Sequence, residues 1–251
     1  MTEPLVSGCT EGAVARLTLN DPSHANALSA AMMTALADAV AEAVADPAVR
    51  VIVLGAAGKV FCAGHDLGEL RASDEAAEHE ALFAQCSALM QAIVNSPKPV
   101  IARVQGAAVA AGCQLVASCD LAFAVDTARF AVSGINLGLF CSTPGVAVAR
   151  AVGRKDALDL LLTGRFASAA EAAAMGLINR AVPADELDGA VDAAAATIAA
   201  KPPEAIALGK AVFNRQIERP LADAYAVASR AMAENLGYDS AKAGIDGFLK
   251  R

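Results

Sequence analysis

The stretch Val49–Leu67, VRVIVLGAAGKVFCAGHDL, decides how the rest of the chain is read. Val49–Leu54 is apolar and rich in β-branched residues apart from Arg50, the composition of a buried core strand. A connection carrying Gly55, Gly58 and Gly64 follows it directly. The same arrangement recurs downstream, where a second core strand, Val100–Val104, runs into Gln105-Gly106-Ala107-Ala108-Val109-Ala110-Ala111-Gly112-Cys113-Gln114-Leu115. A glycine-bearing turn at the end of a strand lets backbone N–H groups approach a ligand closely. Where a helix opens at such a turn, its free N–H groups and positive dipole end face the same place. Neither turn contains the G-x-G-x-x-G of dinucleotide sites or the G-K-[ST] of phosphate loops. On residue types alone, the pair serves equally well as two structural turns.

Working outward, Leu5–Asn20 holds two short apolar runs around Thr10-Glu11-Gly12, a hairpin signal. Ser29–Ala45 has helical composition and stops before Asp46-Pro47. A helix is expected from a Ser73 N-cap to Asn95, ended by Pro97 and Pro99. Ala111–Ser118 reads as a helix, Leu121–Val125 as a third strand and Arg129–Val132 as a short fourth. Beyond residue 150 the chain reads as almost entirely helical. Ser168-Ala169-Ala170-Glu171 forms a capping box closed by Gly176, and helices are expected over Asp185–Ala200, Pro203–Ile217, Leu221–Leu236 and Asp239–Leu249. Strands alternating with helices predict an α/β protein with a parallel, layered sheet and a helical tail.

Composition narrows the function. With 56% hydrophobic and only 19% charged residues among 251, the chain has ample apolar surface for a packed core and is not disordered. The core must be built mainly from Ala, Val, Leu and Ile, since aromatics make up 4% and Trp is absent. A net charge of −7 without a basic patch argues against a nucleic-acid partner. The longest apolar run, Val100–Val125, is broken by Arg103, Gln105, Gln114 and Asp120, so no membrane span is expected. Six cysteines, at positions 9, 62, 86, 113, 119 and 141, include no C-x-x-C and no His pair, so no metal site is expected. They read as reduced thiols, and MTEPLVSGCTEG lacks the features of a secretory signal, so a cytoplasmic protein is expected.

Several stretches in fixed order carry a resemblance. They are Ala25-Asn26-Ala27-Leu28, Gly58–Leu67, Lys98-Pro99-Val100-Ile101-Ala102 leading into Gly106, Cys113–Asp120, Ala151-Val152-Gly153, Leu162-Thr163-Gly164 and Gly176-Leu177-Ile178. By them the chain resembles the enoyl-CoA hydratase/isomerase (crotonase) superfamily over nearly its whole length. It looks most like the branch named "enoyl-CoA hydratase domain-containing". The resemblance implies a layered ββα spiral core over residues 1–195 and a C-terminal helical trimerisation region over 196–251. It implies an acyl-CoA substrate, with coenzyme A arriving as part of the thioester and no permanently bound cofactor. It also implies a homotrimer or dimer of trimers, and a lyase of fatty-acid and acyl-CoA metabolism. Carried over by position, the backbone N–H groups of His65 and Ala111 would form an oxyanion hole for the thioester carbonyl. Ala25, Ala27, Leu28, Ala63, Gly64, Asp66, Leu67, Ala110, Gly112, Gly138 and Phe140 would line the substrate site.

The departures from the family pattern are equally specific. The two glutamates that handle water and proton in hydratases fall on Gln114 and Gly134, neither of which takes up a proton. General acid–base help is worth about 10²–10⁴ in rate, so ordinary hydration is expected to be weak. Restoring both carboxylates, Gln114→Glu with Gly134→Glu, is expected to raise it. The run Leu137–Gly145 is altered where hydratases carry a Gly-rich loop, and Gly68 stands where a CoA-binding Lys is common. Other enolate chemistry on a CoA thioester (isomerisation, decarboxylation, thioester hydrolysis) and non-catalytic acyl-CoA binding are the alternatives. The His65 ring is read as filling space, Asp66 as a turn-stabilising acceptor, and Cys141 as a buried hydrophobe. Asp120 is expected to cap backbone groups at a strand start, Ser29 to open a helix, and His24 and His79 to lie on the surface.

Overall fold

The computed structural model describes residues 3–250. Its elements in chain order begin with the hairpin β1 (Val6–Glu11) and β2 (Val14–Leu19), followed by α1 (Ala30–Ala45). Next come β3 (Val51–Ala56), β4 (Val60–Cys62), α2 (Leu67–Arg71), α3 (Ala76–Asn95), β5 (Val100–Val104), β6 (Ala107–Val109) and α4 (Ala111–Ser118). Then follow β7 (Leu121–Val125), β8 (Arg129–Ala131), α5 (Ser142–Ala151), α6 (Arg154–Thr163), β9 (Ala167–Ser168), α7 (Ala169–Met175) and β10 (Arg180–Val182). The chain finishes with α8 (Leu187–Ala199), α9 (Pro203–Gln216), α10 (Leu221–Leu236) and α11 (Asp239–Leu249).

The strands form two sheets, one ordered β1-β2-β3-β5-β7-β10 and a smaller one ordered β4-β6-β8-β9. Each of β3, β5 and β7 is followed within a few residues by a strand of the small sheet, and helices then return the chain to the large one. The repeat is therefore strand, strand, helix, wound in successive turns. Every residue of β3 is buried, because the sheet is covered on one face by α1 and α3 and on the other by α8.

The expected single parallel sheet is corrected in two ways. The connections after β3 and β5 are themselves strands of three residues, too short to show a period of their own. The β1–β2 and β8–β9 pairs run antiparallel, while the rest run parallel. The C-terminal part likewise contains β9 and β10, the latter pairing with β7 as the sixth strand of the large sheet. The Ser73 N-cap is also displaced: α3 starts at Ala76, and the Ser73 hydroxyl instead accepts from the Glu75 N–H at 3.0 Å.

Residue 195, the expected end of the core, falls within α8, which packs on β3, β5 and β7 through buried Leu187, Val191 and Ala195. From there α9 is fastened to the core by a largely buried cation. Lys210 Nζ donates to Asp120 Oδ2 at 2.7 Å and to the Ile93 carbonyl at 3.1 Å. Asp120 Oδ2 also accepts from the Val100 N–H at 2.7 Å, so this carboxylate caps the start of β5 as the sequence suggests. No helix among the described residues is long and apolar enough to cross a membrane.

Candidate active site

Three loops converge beside the N-terminus of α4. The segment before α1 is locked by Asn26, fully buried and at φ +52°. Its Oδ1 accepts from the Asp21 N–H at 2.9 Å, and its Nδ2 donates to the Ala57 and Val60 carbonyls at 2.9 and 2.8 Å. Sequence reading took Asn26 as a backbone contributor; its side chain is in fact the clamp that joins this loop to the β3–β4 connection. The Ala63 N–H then donates to the Ala25 carbonyl at 3.1 Å and the Leu28 N–H to the Gly64 carbonyl at 2.7 Å. Ala25, Ala27 and Leu28 thereby run alongside Ala63, Gly64 and His65.

Gly64 meets the second turn. At φ +95°, a methyl group on it would stand 2.9 Å from the Ala110 Cβ and 3.2 Å from the Ala111 nitrogen. Gly112 is packed as closely, since a Cβ there would come within 2.2 Å of the Cys62 carbonyl oxygen. Ala110 occupies φ +49°, ψ −116°, a conformation that ordinarily requires glycine. It is held there by its N–H, which donates to the Ala131 carbonyl at 2.8 Å, and by its carbonyl, which accepts from Gln114 N–H at 3.0 Å. Such strain costs of order 1–3 kcal/mol and persists only where the surroundings over-determine it. Its effect is to set Ala111 at the first position of α4, where the N–H has no partner within the helix. Neither that N–H nor the N–H of His65 meets an acceptor among the described residues. Two free backbone donors thus flank a contact between two turns, with the positive end of α4 behind one of them.

The side chains around this contact have separate tasks. Asp66 caps α2, its Oδ1 accepting from the N–H groups of Gly68 at 2.7 Å and Glu69 at 3.2 Å, as a turn-stabilising acceptor does. Leu67 is exposed. Ser29 opens α1 by accepting from the Met32 N–H at 3.1 Å. The His65 ring meets Phe83 of α3 edge-on at 5.4 Å, and its Nδ1 lies 3.4 Å from the Leu28 carbonyl oxygen. Its Nε2 is buried and has no hydrogen-bond partner. Burial holds the imidazole pKa below its ordinary value, against the opposing pull of the Leu28 carbonyl and Glu69. Gln114 is also buried, its Oε1 4.0 Å from the Cys86 thiol. His24 lies on the surface as expected, but His79 is half-buried, its Nε2 3.0 Å from the Leu70 carbonyl oxygen.

The second glutamate position is closed. A Cβ on Gly134 would stand 2.4 Å from the Leu139 carbonyl oxygen and 2.8 Å from Cys141 Sγ. The Leu139 N–H donates to the Gly134 carbonyl at 3.0 Å, and the Gly134 N–H to Cys141 Sγ at 3.3 Å. Gly138, at φ +79°, reverses the chain between them, and Phe140 is left largely exposed. The expectation that Gly134→Glu would help restore hydration is therefore corrected: the loop backbone occupies the space that any side chain there would enter. Cys141 is a buried thiol, as the sequence suggests, and its pKa is raised by burial. Burial also pushes Cys62 and Cys113 up to about 12 and Cys86 up to about 11, so none is a ready thiolate. No group of three or more metal-ligating side chains is assembled among the described residues. Cavities of 330, 260 and 230 Å³ lie over the β2–β3–β5 face beneath α8 and around the start and inner face of α9, away from the joined turns.

The two-sheet winding with its paired turns defines the crotonase fold. A sequence profile of the enoyl-CoA hydratase/isomerase family matches residues 9–251, and the chain belongs to that family. It is similar to "Enoyl-CoA hydratase domain-containing protein 3, mitochondrial" of Xenopus laevis, with 44% identity covering 99% of this chain and 84% of the relative. The Rattus norvegicus protein of the same name is 43% identical, covering 100% of this chain and 84% of the relative. Among solved structures, an enoyl-CoA hydratase of Mycobacterium smegmatis superposes with a TM-score of 0.96 at 53% identity, over 99% of this chain and 97% of that one. The human enoyl-CoA hydratase domain-containing protein 3 gives 0.95 at 43% identity, over 98% and 97%. These relatives also correct the expected cytoplasmic location, since the Xenopus, rat, mouse and human proteins are all named as mitochondrial. Reduced thiols report a reducing environment and do not distinguish one such compartment from another.

Proposed function

We propose that the chain binds an acyl-CoA thioester at the joined turns and stabilises its enolate with the N–H groups of His65 and Ala111. The observation that carries this reading is the contact of Gly64 with Ala110 and Ala111, which leaves two backbone donors free side by side. Fixed donors aimed at a developing oxyanion are worth about 10²–10³ in rate each, and backbone donors survive changes of side chain. Ala25, Ala27, Leu28, Ala63, Gly64, Leu67, Gly112, Gly138 and Phe140 border the proposed substrate site, and coenzyme A enters with the substrate. Exposed apolar side chains on α9–α11, among them Phe213, Leu221, Tyr225, Met232 and Phe248, support a trimer in which a neighbouring copy covers these helices.

The nominal reaction is enoyl-CoA hydration in acyl-CoA metabolism, and the missing carboxylates make it slow. Calorimetry with saturated acyl-CoA thioesters tests binding, and loss of the conjugated thioester absorbance of short and medium enoyl-CoAs tests hydration. Binding with hydration at least about a hundredfold below an ordinary hydratase is expected. Turnover equal to such a hydratase would overturn the role assigned to the missing glutamates. The closed Gly134 position favours a second reading, enolate chemistry that needs a single proton-transferring group rather than a pair.

A further inference from the structure

The joined turns contain one titratable side chain that is free to act. Asp66 is engaged in capping α2, and Glu69 Oε2 accepts from the Ala30 N–H at 2.8 Å. The neighbouring thiols of Cys62 and Cys86 are held protonated by burial, Gln114 has no proton to exchange with substrate carbon, and Gly134 admits no side chain. His65 remains, and its surroundings give its ring a definite electronic state. Its Nδ1 faces the Leu28 carbonyl, an oxygen that only accepts, so the hydrogen of the neutral ring sits on Nδ1 and the lone pair on Nε2. That Nε2 is buried without a partner, an arrangement that costs about 1–3 kcal/mol until something supplies a hydrogen. Phe83, edge-on to the ring, fixes its plane from the α3 side.

From this geometry we propose that His65 Nε2 is the catalytic base that removes the α-proton of the bound thioester. The proposal rests on the acyl-CoA reading above and names the proton acceptor that reading lacks. In the step, the Cα–H bond breaks, an N–H bond forms at Nε2, and the C–H electron pair moves into the enolate. The resulting oxyanion is held by the N–H of the same residue and that of Ala111. The imidazolium then returns a proton to carbon, so no oxidant, metal or second substrate is consumed. The Leu28 carbonyl orients the base, much as a carboxylate orients the histidine of a hydrolytic triad. Burial favours the neutral ring and so keeps the base ready at neutral pH. Glu69 of α2 is the charged group that acts on it, while Leu28 and Phe83 bring no charge.

The test is hydrogen exchange at the α-carbon. The full chain is incubated with butyryl-CoA in D2O, deuterium gain is read by mass spectrometry, and thioester affinity is read by calorimetry. The wild-type chain should exchange the α-hydrogens, with a rate that rises with pH and levels off at a midpoint below the ordinary imidazole value of 6.5. His65→Asn keeps an N–H for the Leu28 carbonyl and the backbone donor but carries no base. It should bind butyryl-CoA within a few-fold of wild type, exchange at least about a hundredfold more slowly, and lose the pH midpoint. His65→Ala, checked for folding by its thermal transition, should behave likewise. Exchange by His65→Asn at the wild-type rate, or tight wild-type binding without exchange, would overturn the role of His65 while leaving the acyl-CoA site standing. Absence of thioester binding by wild type would overturn both.

Discussion

The Gly64–Ala110–Ala111 contact and the Gly134–Cys141 loop lie at the two family positions that define hydratase chemistry, and they have met substitution differently. In the first, two residues that relatives supply as glycine have become alanine, yet the backbone path is retained at the expense of strain at Ala110. In the second, loss of a side chain has been followed by closure of the backbone over the space it would fill. A function carried by main-chain N–H groups depends only on where the chain runs, so it tolerates replacement of side chains. A function carried by a carboxylate disappears with its residue, and nothing then keeps the space open.

The contrast can be broken most forcefully at Gly112, where a methyl group would meet the Cys62 carbonyl between two buried elements that have no room to part. Gly112→Ala should cost about 3 kcal/mol or more, read by urea unfolding, with loss of thioester binding. Gly134→Ala should cost less, about 1–2 kcal/mol, because the Leu139 carbonyl it strikes belongs to a partly exposed loop that can shift. If both substitutions cost the same, the distinction between a fixed turn and a yielding loop fails. Ala110→Gly sharpens the comparison from the other side. Releasing the strained φ outweighs the entropy of an added glycine, and a gain of about 0.5–1 kcal/mol is expected in the same assay. A loss on Ala110→Gly would mean that the turn is not strained.

A smaller effect concerns acid. Because the folded His65 resists protonation, the unfolded chain binds the proton first, and stability falls as pH drops through about 6.5. His65→Asn should flatten this part of the pH–stability curve, and an unchanged slope would mean that the folded ring titrates normally.

Much of this was legible in the chain. Val49–Leu54, Val100–Val104 and Leu121–Val125 announce buried strands because β-branched runs between helical segments have few other uses. Ser168 and Glu171 form the expected reciprocal cap, and Asp66 and Asp120 accept from backbone N–H groups as their positions suggest. The strands β4, β6 and β9 were not legible, since two or three residues carry no periodicity and become strands only through their neighbours. Asn26 could have been suspected, being an amide beside a turn, but its three partners lie on distant segments of the chain.

The sequence by itself determined the order of elements, the family, and the absence of both carboxylates, because these follow from residue identity and local pattern. Tertiary structure alone decided that Gly134 is closed, that Ala110 is strained, and that one nitrogen of His65 is left without a partner. Each of these depends on which atoms from remote parts of the chain arrive within about 3 Å, the scale of hydrogen bonds and hard-core contacts. No local pattern encodes those distances.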